Sequence, residues 1–544
     1  MTALTNPRVD PLLALVLTII GAVLSWFLAG GLPLIGIDDA AITRSYAENL
    51  ANGAGYVYNV GGERVEGSTA FLWASTLTLL YALTDTPEIP IIILCFALTV
   101  AAVTVTLRLA RLLADRIGLE EGPVLLCLMG FLVASPGYFL WTVWTMMEVA
   151  LWSLLLLALV LHLARILEDR VTGGFGLIVA LGLALPLTRP EGIVMALGLI
   201  LFAAVLAPGR WRVLGAGLGA AITSFVLVTL FRVSYFGQPF PNTFYAKVSS
   251  DRLQGIVDGV KYMLSFILGA PFAELYLAAL VIATVWGLTH VLSGRMGARG
   301  LLVLAAACVG ALLAYALLGG DHFVLWRFYQ PVAPLLVVPL ALGLGAILGA
   351  QGRLDRGSLR AVAVAVPLFA IGLSALHYYQ SRFDIRKEYV LVEQGLGFGS
   401  YLNAADPRPT IGVGPAGGIA LAYDGEILDL LGLNWTVMAH ANPIKEGMRN
   451  HASFHKPTFW DHAPDLVTPF NRPCGPGQGL AFWDSDDNAF DGLYSDADFR
   501  AAYRPVTFVQ GSLCWPGFAK PVWLATASVP GMTVYDWSDV TILN

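Results

Sequence analysis

What most constrains this chain is its series of uninterrupted apolar stretches, many of them 18 residues or longer. A helix needs about 20 apolar residues to cross the hydrocarbon core of a bilayer. Pro11–Gly30 is the first such run, and the others are Ile89–Leu113, Pro123–Trp141, Met147–Leu167, Phe175–Leu187, Ile193–Ala207, Val213–Tyr235, Pro271–Leu292, Leu301–Leu318, Pro331–Leu348 and Ala361–Leu376. Together they predict about eleven spans. Only 13% of the 544 residues are charged, about half the share in soluble domains. Pro11–Gly30 is too long for the apolar core of a signal peptide, and no small-x-small cleavage pattern follows it, so it is expected to remain as a span.

A further run, Ser68–Thr84, is decided by the positive-inside rule. If it crosses, the turn carrying Arg111 and Arg116 falls outside. If it stays at the outer leaflet, that turn joins those of Arg165, Arg170, Arg210, Arg212, Arg295, Arg299, Arg353, Arg356 and Arg360 on one side. The second arrangement is adopted. It predicts a multi-pass membrane protein with a cytoplasmic N-terminus and a C-terminal region on the opposite, extracytoplasmic side. The loops left outside hold the polar clusters, and ionisable groups gathered at one membrane face point to a site.

Residues 381–544 carry 18 acidic against 11 basic side chains, a charge of −7, whereas the rest of the chain has 20 against 21. The expected fold is mainly α: a transmembrane module over 1–380, with a periplasmic first loop at 31–68, and a mixed α/β extracytoplasmic domain over 381–544. No basic footprint for nucleic acid is present. Cys95, Cys127 and Cys308 sit in apolar runs as packing residues, while Cys474 and Cys514 could pair in an oxidising compartment. Gly412-x-Gly414-x-x-Gly417 matches a dinucleotide fingerprint in letters. It lacks a clear strand–helix–strand context and reads as a Gly-rich turn.

Several outer clusters could carry chemistry. Asp38 and Asp39 precede a short amphipathic helix with Ile42, Tyr46 and Leu50 on one face. Asp39 could cap that helix, or one of the pair could be a general base, since adjacent carboxylates raise one another's pKa. Glu148 either complements a helix dipole or faces a ligand. Arg189, in Thr188-Arg189-Pro190-Glu191-Gly192, needs an anionic partner at its depth: Glu191, another carboxylate or a lipid phosphate. Lys247 follows Asn242 and Tyr245 among aromatics and either snorkels or meets a phosphate. Gly319-Gly320-Asp321-His322 precedes Trp326-Arg327-Phe328-Tyr329, where Asp321 could orient a sugar or pair with Arg327. No His or carboxylate spacing demands a metal.

The set resembles the membrane-embedded GT-C glycosyltransferases that use polyprenyl-phosphate sugars, closest to the actinobacterial terminal arabinofuranosyltransferase branch. The matching residues are Asp38-Asp39; Asn59 to Thr69 leading to Trp73; Met147-Glu148; Arg189 to Gly192; Tyr235-Phe236-Gly237 with Pro241 to Lys247; and Gly319-Gly320-Asp321 with Arg327-Phe328-Tyr329. The resemblance implies inverting transfer of a sugar, arabinofuranose in that branch, from a polyprenyl-phosphate donor to an extracytoplasmic glycan, lipid or protein. It implies Asp38 or Asp39 as base and Arg189, Lys247 and Arg327 at the donor phosphate. Glu148, Glu191, Asn242, Tyr245, Asp321 and His322 would bind or support the sugar, with no cofactor. Related branches use other sugars, so the sugar stays open. A transporter or flippase of lipid-linked sugars is the alternative; it would place ionisable groups at mid-membrane in paired repeats, and no repeat is visible.

Overall fold

The computed structural model describes residues 6–170, 174–293, 298–349, 356–442, 444–445, 453–469, 474 and 480–543. Arg295 and Arg353 lie outside the described residues, as do the side chains of Arg356 and Arg360. The membrane part consists of α1 (Asp10–Leu28), α2 (Asp38–Ala51), α3 (Phe71–Tyr81), α4 (Glu88–Ile117), α5 (Glu121–Val133), α6 (Pro136–Phe139, continued by a π-helical turn Leu140–Trp144), α7 (Val149–Leu167), α8 (Phe175–Thr188), α9 (Gly192–Leu206), α10 (Trp211–Phe236), α11 (Asn242–Lys247), α12 (Arg252–Gly269), α13 (Ala273–Leu292), α14 (Arg299–Leu317), α15 (Ala333–Gly349) and α16 (Arg356–Gln380).

Among the described residues seven helices are long and apolar enough to cross a membrane, or eight if α5 and the segment after it, bent by 65°, form one broken span. This measure does not confirm the expected count of about eleven, since it passes only helices of 18 residues or more among the described residues. Helices α8 and α9 have 14 and 15 residues and measure only about 21–23 Å at 1.5 Å per residue. They are held by close packing: a Cβ on Gly182 would lie 2.5 Å from the Gly217 carbonyl of α10, the small-residue contact typical of membrane helices. The ambiguous run becomes α3, whose 11 residues cover about 16 Å, too short to cross. The loop expected after α10 contains the 18-residue helix α12.

At one end of the bundle the arginines are paired: Arg111 with Asp10 and Glu121, Arg116 with Glu168, Arg170 with Asp115, and Arg210 with Asp169. The polar clusters lie at the opposite helix ends, where α2 packs against α3. Helix α2 is not the half-exposed interfacial helix that its pattern predicts. Both Ile42 and Arg44 are buried, because α3 covers one side and the C-terminal region the other. Arg44 is held by Glu88, the Tyr81 hydroxyl and the Ile35 carbonyl. Nor does Asp39 cap the helix, since Ile37 occupies the N-cap position without a side-chain bond.

After α16 the chain continues as α17 (Arg382–Leu402) and a small α/β unit containing a short helix α18 (Gly417–Ala420). Its strands are β1 (Ile411–Val413), β2 (Ile427–Asp429), β3 (Leu466–Val467), β4 (Ala481–Trp483), β5 (Arg504–Gln510), β6 (Leu513–Ala519), β7 (Met532–Val534) and β8 (Thr541–Leu543). Six form a mixed sheet in the order β2-β1-β3-β6-β5-β7, and β4 pairs with β8. Cys474 and Cys514 are joined by a disulfide, while Cys95, Cys127 and Cys308 are free and buried.

The C-terminal region shares a core with the first loop. Ile42, Tyr46, Tyr56, Tyr58 and Val65 pack with Phe398, Ile411, Ile419 and Trp515. Burying aromatics of this size contributes about 1.5–3 kcal/mol each, so the contact is part of the fold and fixes what lies above the bundle.

Candidate active site

Two neighbouring carboxylates at the start of α2 point to different places. Asp38 is buried and accepts backbone N–H groups from Gly417 (2.9 Å) and Gly418 (2.8 Å). This explains the glycines better than a nucleotide fingerprint does. A Cβ on Gly417 would lie 1.9 Å from the Asp38 carbonyl, and one on Gly418 2.5 Å from the Val392 carbonyl. Burial pushes the Asp38 carboxyl up to about 6, against the lowering effect of the two N–H donors. The Tyr58 hydroxyl donates to the Ala416 carbonyl (2.5 Å), and Asn59 is bonded in both directions to Ile427. Asp38 thus ties α2 to α18 and does not line the cavity described next.

Asp39 does line it. A cavity of about 450 Å³ opens between the first loop, α9, α10, α11, α14 and the segment before α15. Asp39, Glu148, Arg189, Glu191, Lys247 and Arg327 all reach its wall, and Val194, Phe225, Phe240, Phe244, Leu317 and Leu318 form an apolar flank. Six of the predicted site residues are therefore gathered on one space.

Local sequence explains the placement. Proline at 190 drives Arg189 into an extended conformation (φ −150°, ψ 144°), which ends α8. The Arg189 guanidinium then pairs with Glu191 and with Glu148. Leu325 and Trp326 both have positive φ (57° and 50°), a conformation that costs about 1–3 kcal/mol per non-glycine residue. It is held because Arg327, next in the chain, is so heavily engaged. Its Nε donates to Asp321 Oδ2 (2.7 Å), one terminal nitrogen to Asp321 Oδ1 (3.1 Å) and the other to Asp39 Oδ2 (2.8 Å). The ring of Phe323 lies 4.0 Å from the guanidinium carbon. Asp321 is fully buried behind Arg327, while Asp39 keeps 18% of its side chain exposed.

Lys247 differs from these arginines. Among the described residues no hydrogen bond or ion pair holds its ammonium, and burial lowers its pKa although Asp39 and Asp321 raise it. The cavity wall therefore carries guanidiniums already matched by carboxylates and one unmatched ammonium.

Four other candidates stand off the cavity. Asn242 donates to the Gly432 and Leu433 carbonyls (2.8 and 3.0 Å) and anchors α11. Tyr245 stacks on His440 with ring centroids 4.1 Å apart. Asp321 reaches the cavity only through Arg327. His322 packs on Phe323 and is pushed down to about 3 by burial and by Arg327, so it is neutral near pH 7. Among the described residues no group of three or more His, Cys, Asp or Glu could hold a metal ion.

Some contributors are not among the sequence candidates. Arg232 lines the cavity and is bound by two nitrogens to the buried carboxylate of Glu66 (2.8–3.1 Å). The apolar context of Arg232, one cation near the end of a span, is the sequence signal for it. Glu388 of α17 is the other, half-buried and near Asp38 and Asp39.

No family model matches the chain. A terminal beta-(1→2)-arabinofuranosyltransferase of Corynebacterium glutamicum is 29% identical over 341 residues, 56% of this chain and 48% of that protein. The chain thus spans about half the length of this curated relative. Among solved structures, ArnT from Cupriavidus metallidurans bound to undecaprenyl phosphate superposes with a TM-score of 0.50 at 14% identity, over 84% of this chain and 93% of that one. The fold is of the GT-C type. An oligosaccharyltransferase of Archaeoglobus fulgidus superposes less well, with a TM-score of 0.42 at 11% identity over 95% of this chain and 74% of that chain. The cavity lies where α2 meets the helix ends, with the C-terminal sheet region packed on the far side of α2.

Proposed function

We propose that the chain is an inverting glycosyltransferase that moves a sugar from a polyprenyl-phosphate donor to an extracytoplasmic acceptor, a glycan of the cell envelope. The carrying observation is the wall of the cavity: an acid, Asp39, and an unmatched cation, Lys247, share a space with an apolar flank. A polyprenyl-phosphate sugar has one phosphodiester charge, a lipid tail and a sugar, and each has a counterpart there. Arabinofuranose is the first sugar to test, because the Corynebacterium relative is an arabinofuranosyltransferase.

In the proposed step Asp39 takes the proton of an acceptor hydroxyl as its oxygen attacks the anomeric carbon. The bond from that carbon to the phosphate oxygen breaks, and its electron pair stays on the polyprenyl phosphate. Lys247 holds the phosphate in the ground state, and Arg189 and Arg327 face the second charge that develops on it. Charge-assisted contacts of this kind contribute about 1.5–3 kcal/mol, and the part gained only in the transition state accelerates the reaction. Glu148 and Glu191 hold Arg189 and present oxygens to sugar hydroxyls. In this reading the cavity and the C-terminal region face the periplasm of a bacterial inner membrane, residues 1–380 form the catalytic module and 381–544 the soluble one, and Asp38 keeps them together.

The test is transfer in liposomes containing the purified chain, polyprenyl-phosphate arabinofuranose and an arabinan acceptor. Product with inverted anomeric configuration, lost in Asp39→Asn, is the expected result. Movement of labelled lipid-linked sugar across the membrane without a new glycosidic bond would overturn the enzyme reading in favour of a transporter.

A further inference from the structure

Helix α17 follows the last apolar helix directly and runs beside α2. Its residues Ile385, Glu388, Tyr389 and Val392 share one face by helical spacing. Ile385 and Tyr389 are buried in the same cluster as Ile37, the N-cap residue of α2, and Ala40 in its first turn. Val392 is buried too, and its carbonyl abuts Gly418, which holds Asp38. Glu388, in the middle of this face, is therefore carried against the turn that bears both aspartates. Among the described residues no hydrogen bond or ion pair satisfies its carboxyl. The adjacent Lys387 is exposed.

This arrangement addresses a difficulty in the proposed reaction. Arg327 is bonded to Asp39, and an adjacent cation makes a carboxylate a weaker base. A base works best when its pKa lies near the working pH, so a further negative charge beside the Arg327–Asp321 pair makes Asp39 a better one. We propose, resting on the glycosyltransferase reading, that Glu388 is a positioning residue for the transfer, whose negative charge behind Asp39 keeps Asp39 basic enough to take the acceptor's proton. The charged and titratable groups around Glu388 are Asp38 and Asp39 from α2, Lys387 and the Tyr389 hydroxyl from its own helix, and Arg327. Burial and the two aspartates push Glu388 up to about 8, against the opposite pull of Lys387 and Arg327. Glu388 thus gains its charge as the pH rises through about 8, and the wild-type rate should climb through that range.

The experiment compares wild type, Glu388→Gln and Glu388→Asp in liposomes with polyprenyl-phosphate arabinofuranose from pH 5 to 9.5. Glu388→Gln should lower kcat about tenfold, remove the rise near pH 8 and leave the donor KM unchanged. Glu388→Asp should restore the rise. A Gln variant with the wild-type pH profile, or one that changes KM alone, would overturn the proposal. A second readout needs no sugar. Carbodiimide modifies protonated buried carboxyls, so mass spectrometry should find Glu388 modified up to about pH 8, and only at lower pH in Asp39→Asn, where a like charge is gone. Labelling indifferent to Asp39 would also refute the pairing. If labelling depends on Asp39 but no variant, wild type included, transfers sugar, the carboxyl pair stands and the glycosyltransferase reading falls.

Discussion

One side of the first turn of α2 faces the C-terminal region, and the other faces the cavity among the helix ends. Asp38 and Asp39 are adjacent in sequence and chemically identical, yet Asp38 meets two backbone N–H groups while Asp39 meets a guanidinium and open space. The first arrangement leaves nothing for a ligand to take. The second leaves a carboxylate that an incoming hydroxyl can reach. The cations divide in the same way: Arg189, Arg232 and Arg327 are matched by carboxylates, and Lys247 is not. The lesson is that the count of charged groups around a cavity says little about its chemistry until their partners are known.

The largest expected effect breaks or upholds this division directly. Asp39→Asn should reduce transfer by about 10²–10⁴-fold, the usual range for losing a general base, with a normal yield of folded protein. Asp38→Asn should behave differently: reduced activity accompanied by faster protease cleavage between 403 and 425. If both substitutions abolish turnover equally without loosening the C-terminal region, the assignment of separate roles fails. Gly417→Ala tests the same contact from the other side. Its methyl would lie 1.9 Å from the Asp38 carbonyl, and relieving such overlap costs about 1–3 kcal/mol, read as a lower melting temperature in detergent.

The cations come next. Removing Arg327 strips the buried Asp321 of its partner, which typically destabilises by about 3–5 kcal/mol. Arg327→Ala should therefore express poorly. Lys247→Ala breaks no pair, so the protein should fold normally and show a donor KM raised about tenfold, equivalent to roughly 1.4 kcal/mol of phosphate binding. A Lys247 variant with unchanged KM would remove the phosphate role.

How much of this was open to sequence reading depends on the distance over which each partner is supplied. Apolar runs declare themselves locally because lipid cannot satisfy backbone groups, so helices must form there. Run length alone does not settle helices such as α8 and α9, which are short and, at Gly182, packed through a glycine contact. Asp38 and Asp39 are visible as a pair, but what separates them comes from Gly417 and Gly418, almost 380 residues on. The glycine pattern around 412–417 is equally visible and equally mute, since the need for a small residue at Gly417 arises from the approach of Asp38 of α2 and that at Gly412 from Pro464 and Leu430. Asn242 looks like a sugar-binding amide in an outer loop until the carbonyls of Gly432 and Leu433 take its hydrogens. Glu388 gives no signal as an acid in a polar segment. Only the packing of α17 on α2 makes it part of the site.

The smallest expected effect concerns the same clamp under pH. Burial holds the Asp38 carboxyl at about 6 in the folded protein, above the ordinary value of about 4 it regains when the contact opens. A folded value above the open one means that closing the contact takes up a proton. The stabilisation from this group is complete below about pH 4 and is lost as the pH rises through 6. Linkage between those two values gives a weakening on the order of 1 kcal/mol from pH 5 to pH 7. Protease protection of the C-terminal region should accordingly decline over that interval in the wild type. Asp38→Asn carries no titrating group there, so its protection, though weaker throughout, should have a flatter pH dependence. Parallel curves for the two proteins would mean that Asp38 is solvated in the closed state, and the contrast between the two faces of α2 would then have to rest on Asp39 alone.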